Sequence, residues 1–360
     1  MSSSTNPGTP TTFDRDAQMK AIVQRGYGAP ERVFALDEIA RPAIGADDVL
    51  VAMRATSVNT PDWATAIGLP YILRLQSGLR TPATPVRGSD IAGIVQAVGA
   101  NVTEFEPGDE IFGSTWDPAA STPSGTFAEY AVAPACRLIA KPAELTFEEA
   151  AASVMSGITA LTAMRDVGEV APGKRVLING ASGGVGTLAV QIAKARGAEV
   201  TGVCSTRNIE FVQSLGADHV IDYTREDFTR GPQRYDVILD NVLNHSPAVT
   251  ARLLTPGGIL IPNSLGEARG LLGSMPRIGR ALLMTRWGST DVRTVTCVPN
   301  RDNLGALAAL LVPGDLKVII EKTYPLAEAA AAMAHMSSHR ARGKIAITIW
   351  SSRSGDTTRT

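Results

Sequence analysis

The sequence predicts an α/β fold in two parts, a β-rich unit and a doubly wound parallel sheet, on three observations. From residue 19 to 146 the chain offers short apolar runs broken by turn residues, the pattern of half-buried strands and irregular corners. Beyond Thr146, apolar strands alternate with segments of helical period, as a parallel sheet covered on both faces requires. At Val176–Arg196 a strand runs through a glycine-rich turn into a helix. A length of 360 residues is long for one hydrophobic core, so two domains are expected.

Residues 1–18 are rich in Ser, Thr and Pro with one aromatic; they bury too little surface to order, and a disordered arm is expected. Strands follow at Ala21–Gln24 and Val33–Phe34. Across Val49–Val58, the residues Val49, Val51, Met53 and Ala55 share one face. The pattern continues through Gly88–Gly99, and Pro107-Gly108-Asp109 turns the chain into Glu110–Gly113. Thr146 followed three residues later by Glu149 is a capping box that opens an Ala-rich helix running to Ala163.

Past the glycine turn, the sequence predicts strands at Glu199–Cys204, His219–Asp222, Tyr235–Asp240 and Gly258–Ile261, with helices over Asn208–Leu215 and around Ala248–Leu254. Residues 265–290 mix Leu271, Met275, Met284 and Trp287 with Arg269, Arg277, Arg280 and Arg286. Three readings fit that stretch: a helix buried at the domain interface, a lid over an apolar pocket, or a segment lying on a membrane surface. Val292–Val298 then alternates like a strand, Asn303–Leu311 is helical, and Lys317–Met333 gives a strand, a turn at Pro325 and a helix. Gly343–Trp350 is a last strand before a polar tail at 351–360.

The glycine turn carries the chemistry. It reads Ala181-Ser182-Gly183-Gly184-Val185-Gly186, one methyl group away from the dinucleotide fingerprint. Glycines there let the backbone approach a pyrophosphate, while the first N–H groups and the dipole of the following helix face the phosphate charge. The end of the next strand argues the cofactor: an acidic residue there would accept from a ribose 2′-hydroxyl, whereas a cation matches a 2′-phosphate. Here the chain has Ser205, Thr206 and Arg207, two hydroxyl donors and a guanidinium fork, which favours NADPH.

Composition excludes several classes. Charged residues are 19% of the sequence, and 34 basic against 35 acidic groups give a net charge of −1, so nothing draws the chain to nucleic acid. Three cysteines without a C-x-x-C pair fit a reducing, cytoplasmic setting. No apolar run approaches the roughly 18 residues of a membrane span, and a soluble protein is expected. No Ser-His, Cys-His or paired-carboxylate arrangement suggests hydrolysis. His335 and His339 share a helix face, but Met336 stands where a zinc protease needs Glu; they are read as surface residues.

In order along the chain, these pieces resemble the medium-chain dehydrogenase/reductase superfamily, close to its zinc-independent quinone oxidoreductase branch. The resemblance covers about residues 19 to 350. It rests on Ser57-Val-Asn-Thr-Pro-Asp62, Arg87-Gly-Ser-Asp-Ile-Ala-Gly93 with Val98-Gly99, Pro107-Gly-Asp109, Asn179–Gly186, Leu215-Gly-Ala-Asp218, Tyr324-Pro-Leu-Ala-Glu-Ala and Arg342-Gly-Lys344. It implies a GroES-like β-rich catalytic domain, 19–146 closed by 315–350, around a Rossmann doubly wound parallel-sheet domain, 147–314, that binds NADP. It also implies a homodimer joined through a strand like Val292–Val298.

For the site, the resemblance implies Asn59 and Thr159 close to the nicotinamide ring, Tyr223 near the adenosine phosphate and Lys344 near the cofactor. Zinc members of the superfamily hold the metal with cysteines and a Gly-His-Glu histidine; here those stretches read Asn59-Thr-Pro-Asp62 and Gly88-Ser-Asp90, so no metal is expected. A tyrosine common shortly after the Asn-x-x-Asp motif is missing, since Ala64 stands two residues on, and Tyr71 is the remaining candidate. The expected activity is NADPH-dependent reduction of a small apolar quinone or α,β-unsaturated carbonyl. A zinc-free NADP-dependent alcohol or aldehyde oxidoreductase and a non-catalytic NADPH-binding sensor are the alternatives.

Overall fold

The structure, a computed structural model, describes residues 17–117, 125–264, 279, 290–338 and 340–349. Most of the expected arm, the tail at 351–360, His339 and nearly all of 265–290 therefore lie outside the described residues. A small antiparallel pair, β1 (Gln18–Gln24) with β2 (Phe34–Ala40), stands beside two larger sheets.

The first large sheet is mixed and contains β3 (Asp48–Ser57), β4 (Asp90–Val98), β5 (Glu110–Ser114), β6 (Tyr130–Pro134) and β7 (Leu138–Ala140), with β14 (Ile320–Pro325) and β15 (Lys344–Thr348) from the far end of the chain. Its order is β14-β15-β3-β4-β5-β7, with β6 also paired to β3. Val49, Val51 and Met53 face one buried side together with Ile91, Val95 and Ile111, as their period of two dictates.

The second sheet is β8 (Arg175–Asn179), β9 (Glu199–Cys204), β10 (His219–Asp222), β11 (Tyr235–Asp240), β12 (Leu254–Pro262) and β13 (Asp291–Val292). All its pairings are parallel and the order is β10-β9-β8-β11-β12-β13. Chain order reverses between β8 and β11, and a crevice for a ligand opens at the carboxyl ends of the strands beside such a reversal.

Helix α1 (Thr60–Ile67) follows β3, and α2 (Phe147–Thr162) links the two large sheets. The capping box at its start is formed: Glu149 N–H donates to Thr146 Oγ1 at 3.1 Å and Thr146 N–H to Glu149 Oε2 at 3.0 Å. Ala150 to Leu161 are all buried, because α2 packs both on Ala55, Ala92 and Phe112 of the first sheet and on the core of the second. The remaining helices used below are α3 (Gly184–Ala195), α4 (Ile209–Ser214), α5 (Arg301–Leu311) and α6 (Ala329–Ser337).

Two expectations of local structure need correction. The alternating run Val292–Val298 pairs only through Asp291 and Val292; Arg293 to Val298 carry no strand assignment, with Thr294, Thr296 and Val298 exposed and Val295 and Cys297 packed on the core. The helix expected around Ala248–Leu254 forms, as an α turn at Pro247–Thr250 continued by a 3-10 turn at Ala251–Leu253, and ends where Leu254 enters β12, paired with Tyr235. His335 is not a free surface residue: its side chain is 26% exposed, with Nε2 3.1 Å from Glu321 Oε2 and Nδ1 3.1 Å from Tyr324 Oη. Among the described residues no helix is long and apolar enough to cross a membrane.

Candidate active site

At the end of β8 the chain turns through Gly180, which has φ +78°, a value that suits glycine. Asn179 donates from Nδ2 to Asp240 Oδ1 at 2.8 Å and to Asn244 Oδ1 at 3.0 Å, tying the turn to the end of β11. Gly183 caps α3 and Val185 packs on the core. A Cβ on Gly186 would lie 2.1 Å from Gly180 O, so only glycine lets the helix pass this close to its strand. Ala181 is buried against Gly202 of β9.

The turn is clasped from the other sheet. Gly343 N–H donates to Ser182 O at 2.9 Å, Gly183 forms a parallel bridge to Gly343, and a Cβ on Gly184 would lie 3.0 Å from Lys344 Cδ. Ser182 Oγ accepts from Asn208 Nδ2 at 3.0 Å. A flexible diphosphate fits here: backbone N–H groups of the first turn of α3 are unspent by the helix, and a buried lysine stem runs beside them.

Cys204 ends β9, its thiol pushed up to about 11 by burial and by Asp222. Ser205, Thr206 and Arg207 follow, but they are not equally available. Thr206 Oγ1 donates to Asp222 Oδ2 at 2.5 Å and meets Thr224 Oγ1 at 2.9 Å; the Asp222 carboxylate also accepts from Thr224 N–H and hydroxyl. Thr206 is thus engaged with a carboxylate rather than presented to a ligand. Arg207 Nη2 donates to Arg340 O. Arg342 donates from Nε to Asn208 Oδ1 and from Nη2 to Arg207 O, both at 2.7 Å. The side chains of Arg207 and Arg342 and the backbone of Arg340 are thus tied together at one corner. Arg342 stood in the quoted Arg-Gly-Lys run and Arg340 two residues before it, yet sequence reasoning singled out only Lys344. Tyr223, 56% exposed, stands at the end of β10, its N–H on Cys204 O at 3.1 Å.

Below the turn lies a buried polar cluster. Asp90, 0% exposed, accepts from Ser57 Oγ at 2.5 Å, Asn59 Nδ2 at 2.8 Å and Met155 N–H at 3.2 Å. Lys344, 4% exposed, donates to Asn59 Oδ1 and to Val58 O at 3.1 Å. Asn59 is thereby a bridge whose amide gives to the carboxylate and whose carbonyl takes from the ammonium. Burial pushes the Asp90 carboxyl up and the Lys344 ammonium down, each opposed by the other's charge; three donors aimed at Asp90 suit its ionised form. Asp62 joins them: its Oδ2 accepts from Asn59 N–H at 3.0 Å.

Thr159 donates to Met155 O within α2 at 2.7 Å, and the Cys297 thiol lies against it, pushed up to about 12 chiefly by burial. Asn59, Thr159 and Lys344 are thus brought to one region. Tyr71 is not: it is 48% exposed and its ring lies under the Arg74 guanidinium, 4.7 Å from its centroid. No local signal marks that Tyr71 turns outward from the short helical turn it opens. Among the described residues, no group of three His, Cys, Asp or Glu side chains is placed to hold a metal ion.

Comparison with known proteins follows the same division. A family model described as "Alcohol dehydrogenase GroES-like domain" matches residues 45–143, and one described as "Zinc-binding dehydrogenase" matches residues 215–347. The chain is 34% identical to the mouse protein "NAD(P)H oxidoreductase RTN4IP1, mitochondrial", covering 95% of this chain and 92% of that one. It is 30% identical to "Quinone-oxidoreductase QR1, chloroplastic" of Triphysaria versicolor, covering 91% and 98%. The structure of Escherichia coli quinone oxidoreductase complexed with NADPH superposes with a TM-score of 0.76 at 25% identity, covering 91% of this chain and 99% of that one.

Proposed function

As a member of the medium-chain dehydrogenase/reductase superfamily, in its quinone oxidoreductase-like branch, this chain is an oxidoreductase, and we propose that it reduces quinones or α,β-unsaturated carbonyls with NADPH and without zinc. The observation that carries the reading is the clasp of Gly343 and Lys344 on the glycine turn. It joins the glycine turn to the buried Asn59–Asp90–Lys344 cluster, which supports a dinucleotide running from one to the other. NADPH, when bound, supplies the hydride.

The chain's own residues do the rest. Ala181 to Gly186 hold the pyrophosphate with backbone N–H groups. Arg207, Arg340 and Arg342 take the 2′-phosphate with Ser205 beside them, and Tyr223 flanks the adenosine. Asp222 does not argue for NADH, because its oxygens are already taken by Thr206 and Thr224. Asn59, Thr159 and Lys344 line the nicotinamide end, where a positive charge held near the reacting carbonyl favours the developing oxyanion.

A homodimer is proposed from the segment after β13, where backbone groups between Arg293 and Val298 find few partners among the described residues; such an edge is a template for pairing. A reducing, cytoplasmic setting is proposed from three free cysteines. Loss of reduced nicotinamide absorbance with a panel of quinones, enones and aldehydes tests the activity. Turnover with quinones or enones is expected. Turnover with aldehydes alone favours the alcohol/aldehyde reading, and tight NADPH binding with no turnover on any of them favours a sensor.

A further inference from the structure

Asp62 and Asp90 sit in the same buried cluster but are bonded differently. Asp90 is saturated by three donors. Asp62 has one oxygen fixed by Asn59 N–H, while its Oδ1 makes no hydrogen bond among the described residues and is not one of the fully enclosed, unpartnered atoms. With the residue 8% exposed, that oxygen keeps a path to solvent while the other fixes its direction.

The charges around Asp62 come from three elements. Asp90 opposes its ionisation, whereas Lys344 and Arg87 favour it; burial outweighs them all, and the carboxyl is pushed up to about 7. Near neutral pH Asp62 therefore holds a proton in a substantial fraction of molecules. The Arg87 charge acts on Asp62 and Tyr27 without a salt bridge to Asp62, and its Nε is buried with no partner. A buried guanidinium nitrogen without a partner leaves the Arg87 charge uncompensated, and ionisation of the nearby acid offsets that charge.

Resting on the reductase reading above, we propose that Asp62 delivers the proton that completes the reduction and that Arg87 stabilises the carboxylate left behind. Hydride addition gives the substrate one hydrogen and two electrons, and the displaced π pair moves to oxygen as an enolate or hydroquinone anion. The Asp62 O–H bond then breaks as a new O–H bond forms on that oxygen. Asp62 regains its proton from water, and an enol product tautomerises in solution.

The test is NADPH oxidation with a quinone or enone from about pH 5 to 9, in ordinary and deuterated water, for wild type, Asp62→Asn and Arg87→Met. Wild-type kcat falls as pH rises through about 7 and shows a solvent isotope effect. Asp62→Asn keeps an acceptor for Asn59 N–H, so NADPH binding holds, while kcat drops by about 10²–10⁴-fold and the limb disappears. Arg87→Met moves the limb to higher pH, since a cation favouring the ionised form is gone. If Asp62→Asn fails to fold, the Arg87→Met profile decides. An unmoved limb, or Asp62→Asn with wild-type kcat, overturns the proposal alone. A wild type that oxidises NADPH with no quinone or enone overturns the reductase reading and this proposal with it.

Discussion

Arg342 Nη2 donates to the backbone carbonyl of Arg207 at 2.7 Å, so an arginine on the approach to β15 holds the middle residue of the first turn after β9. Arg207 follows a strand of one sheet and Arg342 precedes a strand of the other, and their side chains bring positive charge to the proposed 2′-phosphate site.

A guanidinium about 4 Å from a phosphate charge interacts by roughly 4 kcal/mol at an effective dielectric of 20, of which about 1–3 kcal/mol survives as a charge-assisted bond. Arg207→Ala is therefore expected to weaken NADPH by about 10- to 100-fold and to leave NADH nearly unchanged. Arg342→Ala should act in the same direction, because it also releases the Arg207 backbone. Fluorescence titration with both cofactors checks this; equal loss of both would remove the 2′-phosphate role.

Gly186→Ala places a methyl group 2.1 Å from Gly180 O, against backbone that cannot move without opening the turn. A destabilisation of about 1–3 kcal/mol or more is expected, together with loss of cofactor affinity. Gly173→Ala is the control for space, since a Cβ there meets nothing within 4 Å; its φ of +82° leaves a backbone cost only. Melting temperature and NADPH titration separate the two.

The Asp62 carboxyl lies at about 7 in the folded chain against about 3.9 unfolded. Between those values the folded state binds the proton more tightly, so this residue's contribution to stability is full below about pH 4 and falls as pH rises to 7. The loss is on the order of 4 kcal/mol at most. Urea unfolding of wild type and Asp62→Asn at several pH values should show the falling component only in wild type. Parallel curves would contradict it.

The stretches that correspond to the family's metal ligands read Asn59-Thr-Pro-Asp62 and Gly88-Ser-Asp90 and hold neither cysteine nor histidine. Elemental analysis of purified protein is expected to find no stoichiometric zinc, and chelators should leave turnover intact. One tightly held zinc per chain would end the zinc-free reading.

The parallel sheet was legible because its signals are local: three apolar residues before a glycine turn, or a Thr and a Glu three apart, need no knowledge of the rest of the chain. The cluster was legible only in pieces. Asn59 and Lys344, 285 residues apart, could be named through resemblance, but nothing local tells that Asn59 bridges Lys344 to Asp90. Arg342 was hidden for the same reason, its partners Arg207 and Asn208 lying in the turn after β9, about 135 residues away. Val292–Val298 misled in the opposite way: alternation reports which face is buried, and says nothing about whether a neighbouring strand exists to pair with.

The bond from Gly343 to Ser182 also has a consequence for synthesis. β8, the glycine turn and α3 emerge from the ribosome long before β15, and domains begin to fold as they emerge. The nascent parallel sheet therefore forms its turn without Gly343, Lys344 or Arg342 against it. Tight cofactor capture waits for the last strand, and a chain stalled upstream of residue 343 would carry an assembled sheet with an unfinished site.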